Sequence, residues 1–325
     1  MTARNITIKD VAAAAGVGVS TVSRVVNGER YVNPATRERV QAAIHALGFR
    51  PNLAARNLRP GRRSETIALL IEDIANPFSA GITHGVEEVA TARGDLVTIG
   101  VTGRSFPLEQ NLVTEMLRRN VDGLLVVPAP GDHRPVAVET GDVPLVFLDR
   151  EPQGVESDVV LLANLDGARG AVEDLLSSGH RRIAYLGGDV TAEPGSERWA
   201  GYRSALADAG IPVDPRLVSV DHMTVASAAD AVRGILRTAE PPTALFADNN
   251  RMTLAALTGA GRTAPPTIAG FDDFELAPLV ESPLTLVTYD AAELGRSAAR
   301  LLYDRIDGST GPARRVVIPT HLRRA

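Results

Sequence analysis

The sequence contains no cysteine, and Lys9 is its one lysine. The lack of cysteine excludes disulfide bonds and thiol chemistry. No apolar run approaches the roughly 20 residues that a membrane span requires. The N-terminus also lacks the apolar region of a secretory signal peptide. We therefore expect a cytoplasmic protein that has no membrane partner.

Several motifs that mark enzyme classes are also missing. The sequence has no G-x-x-x-x-G-K-[ST] phosphate loop, no G-x-G-x-x-G fingerprint and no G-x-S-x-G elbow. Its six histidines show no metal-ligand spacing. The pair Glu87-Glu88 falls on a predicted helix and is typical of a solvated surface. The sequence therefore predicts neither an enzyme nor a bound cofactor or metal.

The charge of the chain is unevenly distributed. Residues 1–63 contain 11 basic and 3 acidic residues, a net charge of +8. Residues 64–325 contain 23 basic and 36 acidic residues, a net charge of −13. A basic module of this size suits a polyanion such as DNA, although basic charge alone is weak evidence. With 325 residues, the chain has room for this module and for one large or two medium domains.

The basic segment has the pattern of a helix-turn-helix. Thr7 begins a helix as a capping residue, and Gly16 ends it because glycine tolerates the left-handed exit conformation. A second short helix is predicted at about residues 19–27. A third follows the cap signal Asn33-Pro34 and ends at Gly48. The second helix of such a motif fits the major groove of DNA.

The second helix separates core residues from residues that could read DNA. Val22 and one of Val25 and Val26 are expected to face the small core. The side chains that remain for the groove and its rim are Val19, Ser20, Thr21, Ser23 and Arg24. Arg24 suits guanine edges, and the hydroxyls suit bases or phosphates. The alternative is that these are ordinary polar residues on a solvated helix.

Here the sequence resembles the LacI/GalR family of bacterial transcription factors, over essentially the whole chain. The most specific parts are TIKDVAAAAGV, STVSRVVNG and TRERVQAAIHALGFRPN. The resemblance implies a regulator, in most cases a repressor, that binds near-palindromic operator DNA as a homodimer. It puts Val19 and Ser20 at the main base-reading positions, where small side chains would favour contact with thymine methyls. Thr7 and Asn27 complete the predicted headpiece contacts.

Residues 52–59 are predicted to form a short hinge helix. An isolated helix of this length is unstable in water, so it needs a partner. In the resembled family, two hinge helices pair in the DNA minor groove. Leu58 matches the residue that wedges between base steps, and Arg59 would lie along the groove wall. The alternative is a frayed linker. The predicted domains are thus a headpiece (1–50), a hinge and linker (51–63) and a sensor (64–325).

The rest of the chain alternates apolar strands with helices. Strands are predicted at residues 66–71, 96–101, 123–127, 145–148, 182–186, 217–220, 243–247, 267–270 and 315–318, the last of these being the final strand. Helices are predicted at residues 78–93, 107–119, 166–178, 199–209, 225–236, 250–259 and 291–306. This alternation predicts an α/β fold with parallel sheets, repeated as two lobes with a cleft between them. The resemblance implies a sensor like the periplasmic sugar-binding proteins, with a chain that crosses between the lobes more than once.

Polar residues that follow the predicted strands are candidates for effector binding, because ligands sit beyond the carboxyl ends of such strands. The candidates of this kind are Asn76, Phe78, Asp149, Arg150, Asn250 and Asp272. Arg198, at the start of a predicted helix, and Tyr289 are added to them. The resemblance implies effector contacts at these positions, although Asn250 replaces the usual Asp and Tyr289 replaces a common Gln. Each residue taken alone could instead be a helix cap or an inter-lobe salt bridge.

Together these groups favour a sugar or a related polyol, with a weak preference for a pentose. A nucleoside or a phosphorylated sugar stays open, as does the choice between induction and corepression. The alternative for residues 64–325 is a secreted sugar-binding protein without a regulatory role. The missing signal region and the basic headpiece argue against that alternative. The sequence shows no heptad tail after its last strand, so we expect a dimer rather than a tetramer.

Overall fold

The computed structural model describes residues 6–26, 31–49, 63–222, 224–261 and 265–324. The chain divides into two compact units, Met1–Ser64 and Glu65–Ala325. Among the predicted site residues, Asn27, Leu58 and Arg59 lie outside the described residues, as does the predicted hinge helix. None of the helices in the described part of the chain has the length and apolar character that a membrane crossing requires.

The first unit contains the three predicted helices, α1 (Ile8–Ala15), α2 (Val19–Val26) and α3 (Pro34–Leu47). Thr7 and Asp10 form a reciprocal capping box at the start of α1. Gly16 ends that helix with φ 65°, in the left-handed region that favours glycine. The three helices enclose a small apolar core that is built from Val11, Ala12, Ala15, Val22, Val25, Val40 and Ala43.

The second unit consists of two α/β lobes. The strands of the first lobe are β1 (Thr66–Ile71), β2 (Leu96–Val101), β3 (Leu124–Val126), β4 (Leu145–Leu148), β5 (Asp158–Leu162) and β11 (Arg315–Ile318). Its sheet has the order β11-β5-β4-β3-β1-β2, and all its pairs are parallel. The helices of this lobe are α4 (Pro77–Arg93), α5 (Phe106–Arg118), α6 (Arg134–Thr140) and α11 (Ala291–Ile306).

The second lobe repeats this architecture. Its strands are β6 (Ile183–Leu186), β7 (Val218–Ser219), β8 (Ala244–Ala247), β9 (Thr267–Phe271), β10 (Leu284–Thr288) and β12 (His321–Arg324). The sheet order is β12-β10-β9-β8-β6-β7, and β12 alone pairs antiparallel. The helices are α7 (Asn164–Ser177), α8 (Gly195–Asp208), α9 (Val225–Leu236) and α10 (Asn250–Ala260).

The chain crosses between the lobes three times. The crossings lie between β5 and α7, between β10 and α11, and between β11 and β12. Where the chain returns to the first lobe, α11 packs closely against α4. A Cβ atom on Gly85 of α4 would stand 1.9 Å from the Ala292 carbonyl oxygen, so glycine is required there.

The predicted fold class is confirmed, but several elements differ from the prediction. The strands β5 and β10 and the helix α6 were not predicted. The prediction that residues 315–318 form the last strand is wrong, because His321–Arg324 forms β12 through backbone pairing with β10. Partners in a sheet, rather than local sequence, give β12 its strand conformation, since three of its four residues are polar.

Candidate functional sites

A cavity of 340 Å³ lies between the two lobes of the second unit, at the carboxyl ends of their strands. We refer to it as the effector cleft. Seven of the eight residues predicted to bind an effector line it, and the eighth, Tyr289, does not. The seven residues are Asn76, Phe78, Asp149, Arg150, Arg198, Asn250 and Asp272. Their contribution to ligand binding stays a prediction.

Two aspartates follow equivalent strands of the two sheets. Asp149 comes directly after β4 with φ 69°, and Asp272 comes directly after β9 with φ 72°. Both residues are buried, and Asp149 Oδ1 has no hydrogen-bond partner. Burial raises the pKa of Asp149, although Arg150 and Arg198 act in the opposite direction. The cleft therefore contains a buried carboxylate oxygen that is available as an acceptor.

The buried guanidinium of Arg198 connects several walls of the cleft. Its Nε donates to Asn164 Oδ1 at 3.0 Å, and one terminal nitrogen donates to the Asp248 carbonyl oxygen at 2.7 Å. The other terminal nitrogen lies 3.7 Å from Asp272 Oδ1. The guanidinium also stacks 3.7 Å above the centre of the Phe271 ring. These contacts fix Arg198 in one orientation.

Arg150 is held in a similar way on the first lobe. It donates to the Pro128 carbonyl oxygen at 3.2 Å and to a carboxylate oxygen of Glu72. Its Nε lies 3.4 Å from Asp149 Oδ2 but is buried without a hydrogen bond. The Arg150 guanidinium is therefore held in a fixed orientation in the wall of the cleft.

Asp248 is a buried carboxylate that was not among the predicted site residues. It accepts hydrogen bonds from the Gly188 amide at 3.0 Å and from the Tyr185 hydroxyl at 3.3 Å. Its other oxygen accepts from Asn249 at 2.7 Å. Burial raises the pKa of Asp248 to about 6, against the opposing effect of Arg198. Its position after β8, in the sequence LFAD, is a signal that could have identified it.

Polar side chains also join the two lobes across the cleft. Asn250 donates to Asn76 Oδ1 at 3.1 Å, and Arg251 pairs with Asp73. Arg104 donates to Asp189 at 3.3 Å. Asn76 also caps α4 by accepting from the Phe78 amide at 3.0 Å. Of the structural alternatives, the helix cap is present at Asn76, and the inter-lobe salt bridges are formed by other residues, Arg251 with Asp73 and Arg104 with Asp189.

Tyr289 lies behind the cleft wall. Its hydroxyl donates to Asp272 Oδ1 at 2.6 Å, and its ring meets the Phe78 ring edge-on at 5.8 Å between centroids. Burial raises the pKa of Tyr289 well above its usual value, so the hydroxyl stays protonated. Tyr289 thus orients two residues that do line the cleft.

The lining of the effector cleft is acidic overall. Its carboxylates are Glu72, Asp73, Asp149, Asp189, Glu193, Asp248 and Asp272. Its arginines are Arg104, Arg150, Arg198 and Arg251. Each of these arginines already contacts a carboxylate of the chain. Within the described ranges, no group of three His, Asp or Glu residues is placed to hold a metal ion.

Three of the residues that the sequence analysis missed lie beyond strand ends. Asp248 directly follows β8, as Asp149 follows β4, whereas Arg104 and Asp189 lie three residues after β2 and β6. A strand-end rule that extends to the third residue would include them. His222 also lines the cleft, and its Nε2 lies 2.8 Å from Ser219 Oγ. No sequence signal separates His222 from an ordinary loop histidine.

In the first unit, α2 has a buried face and an exposed face. Val22 and Val25 are buried, as predicted. Val19 is 42% exposed, although it is apolar. Ser20 and Arg24 are exposed, and Thr21 and Ser23 are half-buried. The predicted base-reading residues therefore lie together on the accessible side of the helix. In the capping box, the Thr7 hydroxyl accepts from the Asp10 amide, and it also donates to an Asp10 carboxylate oxygen at 2.7 Å.

Comparison with known proteins agrees with these features. Residues 7–52 match the model of the "Bacterial regulatory proteins, lacI family", and residues 172–324 match that of the "Periplasmic binding protein-like domain". The HTH-type transcriptional regulator CelR of Thermobifida fusca is 40% identical over an alignment of 333 positions, which covers 98% of this chain and 97% of that protein.

Two solved structures extend the comparison. The transcriptional regulator CelR–cellobiose complex is 38% identical, with a TM-score of 0.71 and 98% of each chain covered. The lac repressor dimer bound to operator and the anti-inducer ONPF is 27% identical, with a TM-score of 0.87, and the match covers 99% of this chain and 98% of that one. With this similarity along nearly its full length, the chain belongs to the lacI family of bacterial regulatory proteins and is a DNA-binding transcriptional regulator rather than an enzyme.

Proposed function

We propose that this protein represses transcription from near-palindromic operators and that a neutral sugar or related polyol, bound in the effector cleft, controls its DNA affinity. The observation that carries the proposal is the ring of fixed carboxylates and arginines around a cleft in a chain that also contains a helix-turn-helix. Sugar hydroxyls both donate and accept hydrogen bonds, so a lining with both acceptors and donors suits them. The sugar-bound CelR relative supports the same ligand class.

The charge of the cleft favours a neutral ligand over a phosphorylated one. Every arginine of the lining already contacts a carboxylate. A phosphate group would meet the carboxylates of the lining without an uncommitted cation to balance it. Like charges in a partly buried site repel strongly, because the local dielectric constant is low. The same argument disfavours other anionic effectors.

Within the cleft, we assign the main hydroxyl contacts to Asp149, Asp272, Arg150 and Arg198. Asp149 Oδ1 is a buried acceptor without a partner, and a ligand hydroxyl would satisfy it. Asn76 and Asn250 would add contacts from both lobes, since their amides already meet at 3.1 Å. The Phe78 ring offers an apolar face to the C–H side of a sugar ring. Tyr289 supports Phe78 and Asp272 from behind.

On DNA, we assign base reading to the exposed side of α2. Val19 and Ser20 would contact bases, with Arg24, Thr21 and Ser23 at bases or phosphates. Thr7, Asn27, Leu58 and Arg59 complete the proposed DNA contacts. A homodimer would place two such helices in successive major grooves. The similar lac repressor, which was solved as a dimer bound to operator, supports a dimer on operator DNA.

The effector would act by changing the relation between the two lobes. A ligand shifts an equilibrium only through different affinities for the two states. Ligand hydroxyls would compete with, or add to, the inter-lobe contacts at Asn76, Asn250 and Arg104. The cytoplasm is where such a regulator meets its operator.

The test uses the full chain and two measurements. Selection from random double-stranded DNA first identifies the bound sequence. Fluorescence anisotropy then measures its dissociation constant with and without a panel of neutral sugars, sugar phosphates and nucleosides. We expect a near-palindromic site and at least a fivefold change in affinity with a neutral sugar, about 1 kcal/mol of coupling. A chain that binds sugars but selects no DNA sequence would instead be a sugar-binding protein without a regulatory role.

A further inference from the structure

A buried carboxylate and a buried imidazole, Glu109 and His133, lie together in the first lobe, and neither lines the effector cleft. Glu109 is in the first turn of α5 and is 0% exposed, and His133 directly precedes α6 and is 1% exposed. The imidazole is held between the rings of Phe106 and Phe147, with edge-on contacts at 5.2 and 5.4 Å between centroids. Burial of a carboxylate costs free energy unless hydrogen bonds replace the lost water. The contacts of this pair therefore show what it stabilises.

One carboxylate oxygen of Glu109 binds a peptide group that also contacts Arg150. Glu109 Oε2 accepts from the Ala129 amide at 2.6 Å. The carbonyl of the same peptide group is that of Pro128, and it accepts from the Arg150 guanidinium at 3.2 Å. Because a peptide group is planar, a bond that fixes its N–H also fixes the direction of its C=O. A single peptide group therefore separates Glu109 from a guanidinium in the wall of the effector cleft.

His133 connects Glu109 to the loop that carries Arg150. Its Nε2 lies 3.2 Å from Glu109 Oε1, and neither of these two buried atoms has a hydrogen-bond partner elsewhere. Its Nδ1 accepts from the Gln153 amide at 3.2 Å, so the proton of the neutral imidazole is on Nε2 and faces Glu109. The His133 amide also donates to the Gln153 carbonyl oxygen at 2.9 Å. Gln153 and Arg150 belong to the same loop, which follows β4.

These contacts form a closed ring, which we call the positioning ring. The backbone of residues 150–153 closes it. Its members are Arg150, the Pro128–Ala129 peptide group, Glu109, His133 and Gln153. Linked polar contacts in a low-dielectric interior strengthen one another. A change at one member should therefore reach the others, including the guanidinium in the cleft wall.

We infer that Glu109 and His133 are positioning residues for effector binding, which hold the Arg150 guanidinium in the orientation that ligand hydroxyls require. The inference rests on the proposed function, in which Arg150 contacts the effector. Both residues act through the Pro128–Ala129 peptide group and the loop after β4. Arg150 also pairs with Glu72. Without the positioning ring, the guanidinium would keep that pair and lose its fixed direction.

Glu109→Gln tests the inference with a side chain of nearly the same size. The glutamine oxygen can still accept from the Ala129 amide, but its NH₂ group then faces the Nε2–H of His133, one donor against another. The imidazole cannot move its proton to Nδ1 without losing the acceptor of the Gln153 amide. Glu115→Gln is the matched control, because Glu115 lies on the same helix and pairs with Arg119 at the surface.

The first readout is the modification of arginines by phenylglyoxal in the full chain without ligand, mapped by mass spectrometry. Arg198 is the internal reference, because it lines the same cleft and has no contact with the positioning ring. We expect Glu109→Gln to raise the ratio of Arg150 modification to Arg198 modification at least about fivefold, because the local opening exposes Arg150 alone. Glu115→Gln should leave the ratio unchanged. An unchanged ratio in a folded Glu109→Gln variant would overturn the inference, whether the two rates stay constant or rise together.

The second readout is a double-mutant cycle on effector affinity, measured by calorimetry with the tightest binder among cellobiose, glucose and ribose. Arg150→Lys is the partner variant, because the single nitrogen of lysine cannot contact Pro128 and Glu72 as the two terminal nitrogens of the guanidinium do. We expect Glu109→Gln to weaken binding about tenfold in the wild-type background and less than about twofold in the Arg150→Lys background. Equal losses in the two backgrounds would overturn the inference, because Glu109 would then act without Arg150.

His133→Gln is the second variant, and it decides the question if thermal unfolding shows that Glu109→Gln does not fold. It removes the Nδ1 acceptor of the Gln153 amide and should raise the same modification ratio. A folded His133→Gln variant with the wild-type ratio would overturn the inference. A wild type that binds none of the three sugars, together with a raised ratio in the variants, would support the positioning of Arg150 and count against the proposed sugar effector.

Discussion

Asp149 and Asp272 show how single residues shape the cleft. Both adopt positive φ angles directly after a strand, a conformation that costs most non-glycine residues free energy. Aspartate is among the few L-residues that tolerate it. The positive φ angle turns the backbone at the end of the strand and directs each short carboxylate side chain into the space beyond the sheet. Backbone conformation and side-chain chemistry therefore both favour aspartate at these positions.

Replacement of Asp149 by asparagine should weaken effector binding. Asp149→Asn keeps the size of the side chain but replaces a charged acceptor, and a hydrogen bond to a charged group contributes about 1.5–3 kcal/mol. We expect affinity for the effector to fall by about tenfold to a hundredfold, measured by calorimetry. Asp142→Asn, at an exposed position of the same lobe, is the matched control. Unchanged affinity in a folded Asp149→Asn variant would remove this residue from the site.

The raised pKa of Asp248 predicts a pH-dependent free energy of unfolding. Burial raises this pKa from 3.8 to about 6, so the folded protein holds the proton more tightly than the unfolded chain does. The resulting stabilisation is fully present below about pH 3.8 and is lost as the pH rises through about 6, with a size of about 3 kcal/mol. Urea unfolding from pH 4 to pH 8 measures it.

The control for this pH effect is Asp248→Asn. Other groups titrate in the same range. The relevant quantity is therefore the free energy of unfolding of the wild type minus that of the variant at each pH. Between pH 4 and pH 7, the free energy of unfolding of the wild type should decline relative to that of the variant. A constant difference over that range would show that Asp248 keeps an ordinary pKa despite its burial.

At the scale of elements, the predicted hinge helix offers a direct test. Leu58→Ala should weaken binding to the selected operator more than binding to random DNA, because a wedge between base steps acts only on a kinked site. The affinity of the variant for the selected operator should fall by at least about tenfold. Anisotropy titrations on both DNAs at one salt concentration measure it. Equal losses on the two DNAs would mean that residues 52–59 form a linker without a wedge.

The elements that could be predicted from sequence are those with strong local signals. Thr7 and Gly16 bound α1, and the predicted limits of the helices at residues 225–236 and 291–306 agree with the structure. Strands such as Thr66–Ile71 were visible because parallel strands that are buried on both faces form continuous apolar runs. Seven residues of the cleft lining were among the candidates, and most of these seven lie beyond the ends of those strands.

The elements that could not be predicted depend on distant partners. The strand β5 begins at a charged residue, Asp158, and α6 begins at Arg134-Pro135 in a proline-rich segment. The polar strand β12 forms only because β10 supplies a neighbour. In the same way, Tyr289 is held behind the cleft wall by the hydrogen bond from its hydroxyl to Asp272, which lies 17 residues away in sequence.

At the scale of the whole molecule, Asp158 fixes α11 and the segment before β11 to the first lobe. It accepts hydrogen bonds from Arg305 at 2.8 and 3.0 Å, and from the Arg314 side chain and amide, each at 2.8 Å. Burial raises the pKa of Asp158, but the two arginines outweigh burial and lower it to about 2. One carboxylate thus joins the start of β5 to α11 and to the segment before β11.

Removal of this carboxylate should destabilise the second unit. Asp158→Ala removes the buried partner that Arg305 and Arg314 share, and loss of one partner of a buried ion pair typically costs about 3–5 kcal/mol. Arg314 keeps its pair with Asp304, and Arg305 keeps its backbone acceptors, so we expect the lower end of that range. Asp307→Ala, which removes the exposed pair with Arg93, is the control and should cost less than about 1 kcal/mol. Urea unfolding at pH 7 compares the two variants. The Asp158 contribution should be present above about pH 3.8 and decline as the pH falls towards 2. A similar small loss in both variants would show that Asp158 is not structurally important.

The connection between β11 and β12 has a practical consequence for experiments on this protein. Only residues 319 and 320 separate these strands, yet one completes the first sheet and the other completes the second. A proteolytic cut or a stop codon before β11 would therefore remove an edge strand from each lobe at once. Neither lobe is a unit that can be expressed alone by simple truncation. A fluorescent reporter of lobe movement should instead be inserted into a surface loop of each lobe.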